Sequence, residues 1–241
     1  MNKPQHPQSV PAISLFGLTK RFGYISALDD IDFQLEQGEF LSMFGPNGAG
    51  KTTFLHILAT LTSPTSGTIR VLGYDLAQHG EEIRALVGVL GHHSFLIPTL
   101  TAYENLKFYG QMFGVNNLKQ RIKTLLEWVG LIDHRNQTIE TFSRGMQQRL
   151  SIARTILHEP RILLLDEPFT GLDQDGIALL KNVLQDFLRE KKTIIMTDHD
   201  FARGLEFSTK VLIVNHGEFL YYGDSSTLEE PFEAIYRRFV D

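Results

Sequence analysis

The hydrophobic pattern changes between strand-like and helix-like segments along most of the chain. Apolar segments with strand character lie at 12–22, 27–44 and 67–73, and turns are predicted at 36–38 and 63–67. A helical pattern runs from 51 to 61, between the second and third of these segments. The N-terminal part of the chain is therefore predicted to be rich in β-structure.

From residue 100 to residue 157 the pattern becomes mostly helical. Thr101 and Glu104 have the spacing of a capping box, and apolar residues recur at helical spacing from 118 to 131. Short β-rich segments and one helix then alternate again, at 161–168, 177–190 (the helix), 193–200 and 210–223. This order predicts an α/β fold with a buried, largely parallel sheet and an inserted helical subdomain at about 92–157.

Length and composition are those of a globular protein. The chain has 241 residues, of which 42% are hydrophobic, and we expect a single domain over 12–241. The first fourteen residues contain three prolines and no apolar core. Residues 1–11 are therefore predicted to be a disordered lead-in rather than a signal peptide. No apolar run approaches the ~18 residues that span a bilayer, so another chain would supply any membrane span.

The charge and the absence of cysteine narrow the function classes. A net charge of −5 gives no basic field, and we therefore expect no nucleic acid as a partner. Because the chain has no cysteine, disulfides and thiolate metal sites are excluded, which is consistent with a reducing compartment.

A glycine-rich stretch, GPNGAGKTT at 45–53, lies between a predicted strand and a predicted helix. It matches the phosphate-loop pattern G-x-x-x-x-G-K-[ST]. In such a loop bare backbone N–H groups and the helix N-terminus bind phosphate, while Lys51 reaches the outer phosphates and the Thr52 hydroxyl ligates Mg²⁺. The alternative is a flexible turn with a solvated lysine. The expected phosphate-binding residues are Gly45, Pro46, Asn47, Gly48, Ala49, Gly50, Lys51, Thr52 and Thr53.

Two acidic residues follow the apolar run 162–165. Asp166 is expected to steady Mg²⁺ through its waters, because this small ion prefers oxygen ligands and keeps much of its hydration shell. Glu167 is expected to act as the base, or to orient the water, in attack on the terminal phosphate. The alternative is that the two residues only begin a solvated turn.

Four motifs in this order resemble the nucleotide-binding subunits of ABC transporters, over roughly 13–223. They are the phosphate loop, TFSRGMQQRLSIART, LLLDEPFTGLD and IIMTDHD. The resemblance implies the P-loop NTPase core of an ABC ATPase. It also implies that ATP and Mg²⁺ are the cofactors and that Lys51, Glu167 and His199 are the catalytic residues.

The resemblance also implies roles for residues outside the phosphate loop. Ser143 and Gly145 would cover the terminal phosphate held by an opposite subunit, with Asp173 in the loop after the acidic strand. Phe22, or less directly Tyr24, would stack on adenine. Each residue has a structural alternative. Ser143 and Asp173 could cap helices, and Phe22 could belong to the core. His199 could be a histidine at the end of a strand whose hydrogen bonds are all made within the protein.

The sequence departs from the family pattern near the start of the helical insert. His92 stands where the family usually has a glutamine, and imidazole is a poor Mg²⁺ ligand, so we expect a coupling or water-mediated role. The apolar loop 95–98 could dock a partner helix or pack inward. By the resemblance, 143–146 form the signature segment of the family, in which Arg144 and Met146 replace the usual glycine and glutamine.

By the same resemblance, two nucleotides lie between two ATPase subunits, as a homodimer or a heterodimer. These subunits dock on integral membrane permease subunits at the cytoplasmic face of the cell membrane.

GHH, LTAYENLKFYG and DEPFTGLDQDG are similar to the ATPase of the c-type cytochrome biogenesis (haem exporter) group. The alternative is a non-transport ABC-type ATPase that acts on a soluble macromolecular partner.

Overall fold

A computed structural model of the chain describes residues 10–91 and 93–240. His92 lies outside the described residues, as does most of the lead-in that we predicted to be disordered. Within the described residues, no helix is long and apolar enough to cross a membrane.

The N-terminal part is rich in β-structure, as predicted, and it forms a four-stranded antiparallel sheet. Alternate residues of the first strand, such as Ile13 and Leu15, are buried, while Phe16 is exposed. The spatial order of the strands is β2-β1-β4-β5. Their bounds are β1 (Ile13–Phe22), β2 (Ile25–Leu35), β4 (Ser66–Val71) and β5 (Tyr74–Asp75).

The central sheet has six strands in the order β10-β9-β3-β8-β7-β6, and all neighbours are parallel except β10 and β9. This confirms the predicted largely parallel sheet. The bounds are β3 (Phe40–Phe44), β6 (Val87–Leu90), β7 (Ile162–Asp166), β8 (Thr193–Thr197), β9 (Lys210–Asn215) and β10 (Glu218–Asp224). Every residue of β3, β7 and β8 is buried, as expected for parallel strands covered on both faces. The four-residue β6 was not predicted, because it is too short to give a pattern.

Three of the helices lie between β6 and β7 in the chain, inside the predicted range 92–157. The bounds of all the described helices are α1 (Lys51–Leu58), α2 (Gly80–Leu86), α3 (Ala102–Met112), α4 (Leu118–Trp128), α5 (Arg144–Ile156), α6 (Gln174–Arg189), α7 (Phe201–Leu205) and α8 (Phe232–Val240). The predicted capping box of α3 is confirmed: the Thr101 hydroxyl accepts from the Glu104 N–H at 3.2 Å, and the Glu104 carboxylate accepts from the Thr101 N–H at 2.9 Å.

The central sheet divides the hydrophobic core into two large clusters. Leu163 and Leu165 of β7 pack in one cluster with apolar residues of α3, α4, α5 and α6. Ile162 and Leu164, which point to the opposite face, pack in the other cluster with α1 and the N-terminal sheet. This packing fixes β7 between two layers, so the residues that follow it emerge at a rigid edge.

Three parallel strands end side by side at that edge. β3 leads into the phosphate loop, β7 ends at Asp166, and β8 ends at Thr197, which is paired with Asp166 in the sheet. In open α/β sheets, ligands bind outside the carboxyl ends of the strands. The sheet register therefore brings the phosphate loop, the acidic pair and the 198–200 turn together.

Replacing the buried Leu164 by Ala should lower the free energy of unfolding by about 2–5 kcal/mol, because it leaves a cavity in the middle of the core. The matched change at the half-exposed Leu61 should cost less than about 0.5 kcal/mol. Urea denaturation followed by circular dichroism measures both values. Equal losses at the two positions would contradict the placement of β7 between two packed layers.

Candidate active site

The phosphate loop opens at the N-terminus of α1. Gly50, with φ of 109°, precedes the helix, and no side chain caps the first turn. The free N–H groups of such a helix start are ready to bind an anion. Gly48, at φ of 81°, has nothing within 4 Å of the place where a Cβ would be. The loop backbone is therefore open on this side, as the phosphate-binding prediction requires.

Two glycines of the loop are required by close packing. A Cβ at Gly45 would collide with the carbonyl oxygen of Val214, and a Cβ at Gly50 would collide with that of Ala27. These contacts hold the loop against β9 and against the start of β2. Gly45 and Gly50 are thus required because the loop packs closely against neighbouring backbone, whereas at Gly48 the missing side chain leaves room for a phosphate to approach.

The Lys51 ammonium lies across the loop. It donates to the carbonyl oxygens of Gly45 at 2.6 Å and Pro46 at 3.0 Å. Burial lowers the pKa of Lys51, and the nearby carboxylates of Glu167 and Asp166 partly oppose this shift. The cation therefore lies between the loop and the acidic pair.

Asp166 links the strand end to the helix that follows the phosphate loop. Its Oδ2 accepts a hydrogen bond from the Thr52 hydroxyl at 2.8 Å. A hydroxyl and a carboxylate side by side are the hard oxygen donors that Mg²⁺ prefers, so the two residues fit this ion. Among the described residues, no group of three or more His, Asp or Glu side chains could hold a metal ion.

Thr197 joins the two acidic residues and was not identified from the sequence. The Thr197 hydroxyl donates to Asp166 Oδ1 at 2.6 Å. The Thr197 hydroxyl oxygen also accepts from the Glu167 N–H, at 3.1 Å. The Thr197 carbonyl also accepts from this N–H, at 3.1 Å. Thr197 ends the strand next to β7, and this position could have identified it as a site residue. The sequence alone does not give the order of the strands, so the position could not be recognised from it.

Glu167 has a left-handed backbone conformation, with φ of 48°. Non-glycine residues adopt this region rarely and at a cost in free energy. The fixed end of β7 and the two contacts from Thr197 hold the residue in it. The Glu167 carboxylate lies near the Lys51 ammonium of the candidate phosphate site.

His199 lies next to Glu167. Its Nδ1 is 3.9 Å from Glu167 Oε2 and 3.8 Å from Asp198 Oδ1. The side chain of His199 is 66% exposed, so it is not a buried strand-end histidine with all its contacts inside the protein. Its imidazole is therefore accessible to a ligand at the carboxyl edge.

The capping predictions for Ser143 and Asp173 are confirmed. The Ser143 hydroxyl accepts from the Met146 N–H at 3.3 Å at the start of α5. The Asp173 carboxylate accepts from the Gly176 N–H at 2.7 Å at the start of α6. Their contacts with a nucleotide remain predictions, because a cap and an anion site can use the same helix start.

The signature segment packs against the loop that follows β7 in the same chain. A Cβ at Gly145 would lie 3.0 Å from the Asp173 carboxylate, and a Cβ at Gly171 would lie 2.7 Å from the Arg144 guanidinium. Among the described residues, no hydrogen bond or ion pair joins 143–145 to 45–53. The structure thus brings the predicted Ser143, Gly145 and Asp173 together with each other.

Phe22 is a surface residue, so the core alternative is wrong. Its side chain is 53% exposed at the end of β1, and the Lys20 ammonium lies 4.6 Å from its ring centre. Tyr24, in the turn that follows, is fully exposed. Either ring is available to stack on a ligand, and the role in adenine binding remains a prediction.

The apolar loop at 95–98 packs inward. Leu96 belongs to the core, and the Phe95 ring lies 5.2 Å from the guanidinium carbon of the buried Arg154. The Tyr109 hydroxyl donates a hydrogen bond to the Phe95 carbonyl. Of the two alternatives left open for this loop, inward packing is the one observed.

The fold and the site together define an ATPase built around a phosphate loop, an acidic strand end and a neighbouring histidine. The family model for ABC transporters matches residues 28–170, more than half of the chain. The chain therefore belongs to the ABC transporter family, as an ATP-binding subunit with the ATPase fold of that family.

Several relatives match almost the whole chain. The ABC transporter ATP-binding protein NatA of Bacillus subtilis (strain 168) is 36% identical, over 90% of this chain and 92% of its own. The Nod factor export ATP-binding protein I of Ralstonia nicotianae is 33% identical, over 94% and 70% respectively. The daunorubicin resistance ATP-binding protein DrrA3 of Streptomyces coeruleorubidus is also 33% identical, over 90% and 70%.

Solved structures share the fold. The dimeric, post-hydrolysis structure of the ATP-binding cassette MJ0796 bound to ADP and Pi has a TM-score of 0.79 and 27% identity, over 88% of this chain and 98% of that one. An ATP-binding subunit of an ABC transporter has a TM-score of 0.86 over 94% of this chain and 98% of its own. Its identity is 24%, so this second likeness supports the fold alone.

Replacing Thr197 by Val keeps the shape of the side chain but removes the hydroxyl that joins Asp166 and Glu167. Turnover should fall about 10-fold, the equivalent of about 1.5 kcal/mol for one lost hydrogen bond to a charged group. Steady-state ATP hydrolysis by the purified chain measures it.

Thr193→Val in the same strand is the matched control. The Thr193 hydroxyl is also buried and accepts one N–H, from Gly38 at 3.0 Å, but at the opposite end of β8. It should lower stability to a similar extent without lowering turnover. Equal turnover in the two variants would argue against a role for Thr197 in the site.

Proposed function

We propose that the chain binds ATP with Mg²⁺, hydrolyses the terminal phosphate and drives the permease of a membrane exporter. The single observation that carries this proposal is the contact network at the carboxyl edge of the central sheet. Asp166 accepts hydrogen bonds from Thr52, next to the phosphate loop, and from Thr197. Thr197 also holds the Glu167 N–H, and His199 lies beside Glu167.

Binding of ATP is assigned to the phosphate loop and its surroundings. The N–H groups of 45–53 and the N-terminus of α1 would bind the phosphates, with Lys51 on the outer ones. Thr52 and Asp166 would hold Mg²⁺, which when bound neutralises charge on the phosphate oxygens. Phe22 or Tyr24 would stack on the adenine ring.

Hydrolysis is assigned to Glu167 and His199. Glu167 would accept a proton from the water that attacks the terminal phosphorus, while the bond to the bridging oxygen breaks and ADP leaves. Lys51 would stabilise the charge on the outer phosphate oxygens, and His199 would contact them from the other side. The fixed backbone of Glu167 would keep its side chain beside the terminal phosphate, where the carboxylate can turn toward the water.

A second ATPase subunit would complete the site. In this chain the signature segment packs against the loop that follows β7, and among the described residues no hydrogen bond or ion pair joins 143–145 to 45–53. Ser143 and Gly145, with Asp173 beside them, would then cover the terminal phosphate held by the opposite subunit. The dimeric structure of the cassette MJ0796 supports such a pair, whether homodimeric or heterodimeric.

Glu167→Gln should leave the affinity for ATP within about twofold and lower hydrolysis by about 10²–10⁴-fold, the contribution of a general base. Equilibrium binding of a fluorescent ATP analogue and single-turnover hydrolysis measure the two quantities. Lys51→Ala is the control with the contrasting effect, because it should lower the affinity for ATP. Near-normal turnover of the Glu167 variant would assign the base elsewhere.

A groove on the helical insert supports docking of a permease segment. It encloses about 940 Å³ between the first turn of α3, α4 and the segment that follows. Its apolar lining is Leu118, Leu126 and Ile132, and its cationic lining is Lys119, Lys123 and Arg135. No carboxylate lines it among the described residues, so it favours an amphipathic segment that carries acidic side chains.

The names of several relatives support export as the direction of transport. They include Nod factor export, daunorubicin resistance and linearmycin resistance. The local likeness to the haem exporter group supports a narrower proposal, haem export in cytochrome c biogenesis. A peripheral place at the cytoplasmic face of the membrane follows from either version of the proposal.

Affinity purification of the tagged chain from gently solubilised native membranes tests the transport proposal. We expect a stoichiometric integral membrane partner, whose identity distinguishes a haem system from another exporter. Lys119→Glu in the groove should reduce the amount of partner recovered at least threefold, whereas Arg237→Glu, an exposed charge reversal on α8, should not. Recovery of soluble partners alone would favour the non-transport alternative.

A further inference from the structure

Asp198 is a buried carboxylate beside the candidate site to which no role has been assigned above. It follows β8 directly, lies between Thr197 and His199 in the chain, and is only 3% exposed. Carboxylates are almost never buried to this extent unless they are paired. Its contacts therefore indicate what the residue does.

Two groups hold one oxygen of Asp198 in place. Oδ1 accepts a hydrogen bond from the Asp200 N–H at 2.9 Å and lies 3.3 Å from the Arg203 guanidinium. That guanidinium also lies over the Phe169 ring, with 5.6 Å between its carbon and the ring centre. Arg203 thus ties the turn after β8 to the segment that carries Glu167.

The same oxygen faces the His199 ring. His199 Nδ1 is 3.8 Å from Asp198 Oδ1 and 3.9 Å from Glu167 Oε2, so it lies between two carboxylates. Ionised carboxylates only accept hydrogen bonds, and both therefore favour a proton on Nδ1. Nε2 is then turned away from them, and in the protonated ring its N–H can donate to a terminal phosphate oxygen.

The two carboxylates differ in what else they must do. Glu167 has to turn toward the attacking water and accept its proton, so it cannot hold the His199 ring throughout the reaction. Asp198 is buried and anchored by Arg203, and it has no such task. A ring held by Asp198 keeps its orientation when Glu167 moves toward the water. The distance of 3.8 Å between His199 Nδ1 and Asp198 Oδ1 is longer than a hydrogen bond. Hydrogen bonds between catalytic groups are often long without a ligand and shorten when it binds.

We infer that Asp198, anchored by Arg203, is a positioning residue that orients the His199 imidazole toward the terminal phosphate. The inference rests on the role proposed above for His199. It assigns Asp198 no contact with the nucleotide, so its effect passes entirely through the histidine ring.

Asp198→Asn tests the inference with almost no change in volume. The asparagine amide can turn its NH₂ group toward Nδ1 and favour the wrong ring orientation or tautomer. We expect ATP affinity within about twofold of the unmodified chain and kcat lowered about 10-fold, as for other residues that orient a functional histidine. Asp186→Asn, at an exposed ion pair with Arg189, is the matched control and should leave kcat unchanged.

A double variant separates positioning from a general structural effect. In a His199→Ala background, Asp198→Asn should cause no further loss of kcat, because the ring through which it acts is absent. Arg203→Gln, which keeps Asp198 but removes its anchor, should lower kcat in the same direction and to a smaller extent. It provides a second test should Asp198→Asn fold poorly.

The ring itself gives a spectroscopic readout. In ¹⁵N-correlated spectra of the side chain, the His199 resonances, identified by their loss in His199→Ala, should report a proton on Nδ1. Asp198→Asn should change that pattern, whereas Asp186→Asn should not.

Three outcomes would decide the matter. A normal kcat for Asp198→Asn, or a second 10-fold loss in the His199→Ala background, would overturn the inference and leave the proposed function intact. A normal kcat for His199→Ala would instead remove the role of the histidine itself.

Discussion

The two hydroxyl hydrogen bonds to Asp166 are the contacts on which the candidate site depends. One comes from Thr52, at the helix that follows the phosphate loop, and the other from Thr197, at the end of the adjacent strand. They join three chain segments that are far apart in sequence, and they satisfy both oxygens of a buried carboxylate. An unpaired carboxylate at this depth would be strongly disfavoured, so the register of the sheet and the geometry of the site are stabilised together.

Local chemistry was predictable from the sequence where neighbouring residues determine it. The phosphate-loop pattern, the capping box at Thr101 and the acidic pair after a buried strand each depend on a few consecutive residues. Thr197 and Asp198 were not recognised, because their importance arises only when β8 is placed beside β7. The inward packing of the 95–98 loop was left open for a similar reason, since its partner Arg154 lies on a distant helix.

Structural and functional interpretations of one residue need not exclude each other. Ser143 and Asp173 cap their helices, as their local sequence indicated, and both lie in segments to which the family resemblance gives a nucleotide role. A capped helix start still carries free N–H groups and the positive end of the helix dipole. The same geometry that stabilises α5 in the isolated subunit thus leaves it suited to an anion from outside.

The contacts of Arg144 with Gly171 and of Gly145 with Asp173 have a consequence for a paired assembly. In such an assembly the signature segment would face one nucleotide, while the loop after β7 belongs to the strand that serves the other. Because the two segments pack against each other within a single chain, a shift of one would displace the other. Occupancy of one nucleotide would then affect the second, and such a pair would respond to the concentration of ATP as a unit rather than as two independent binding sites.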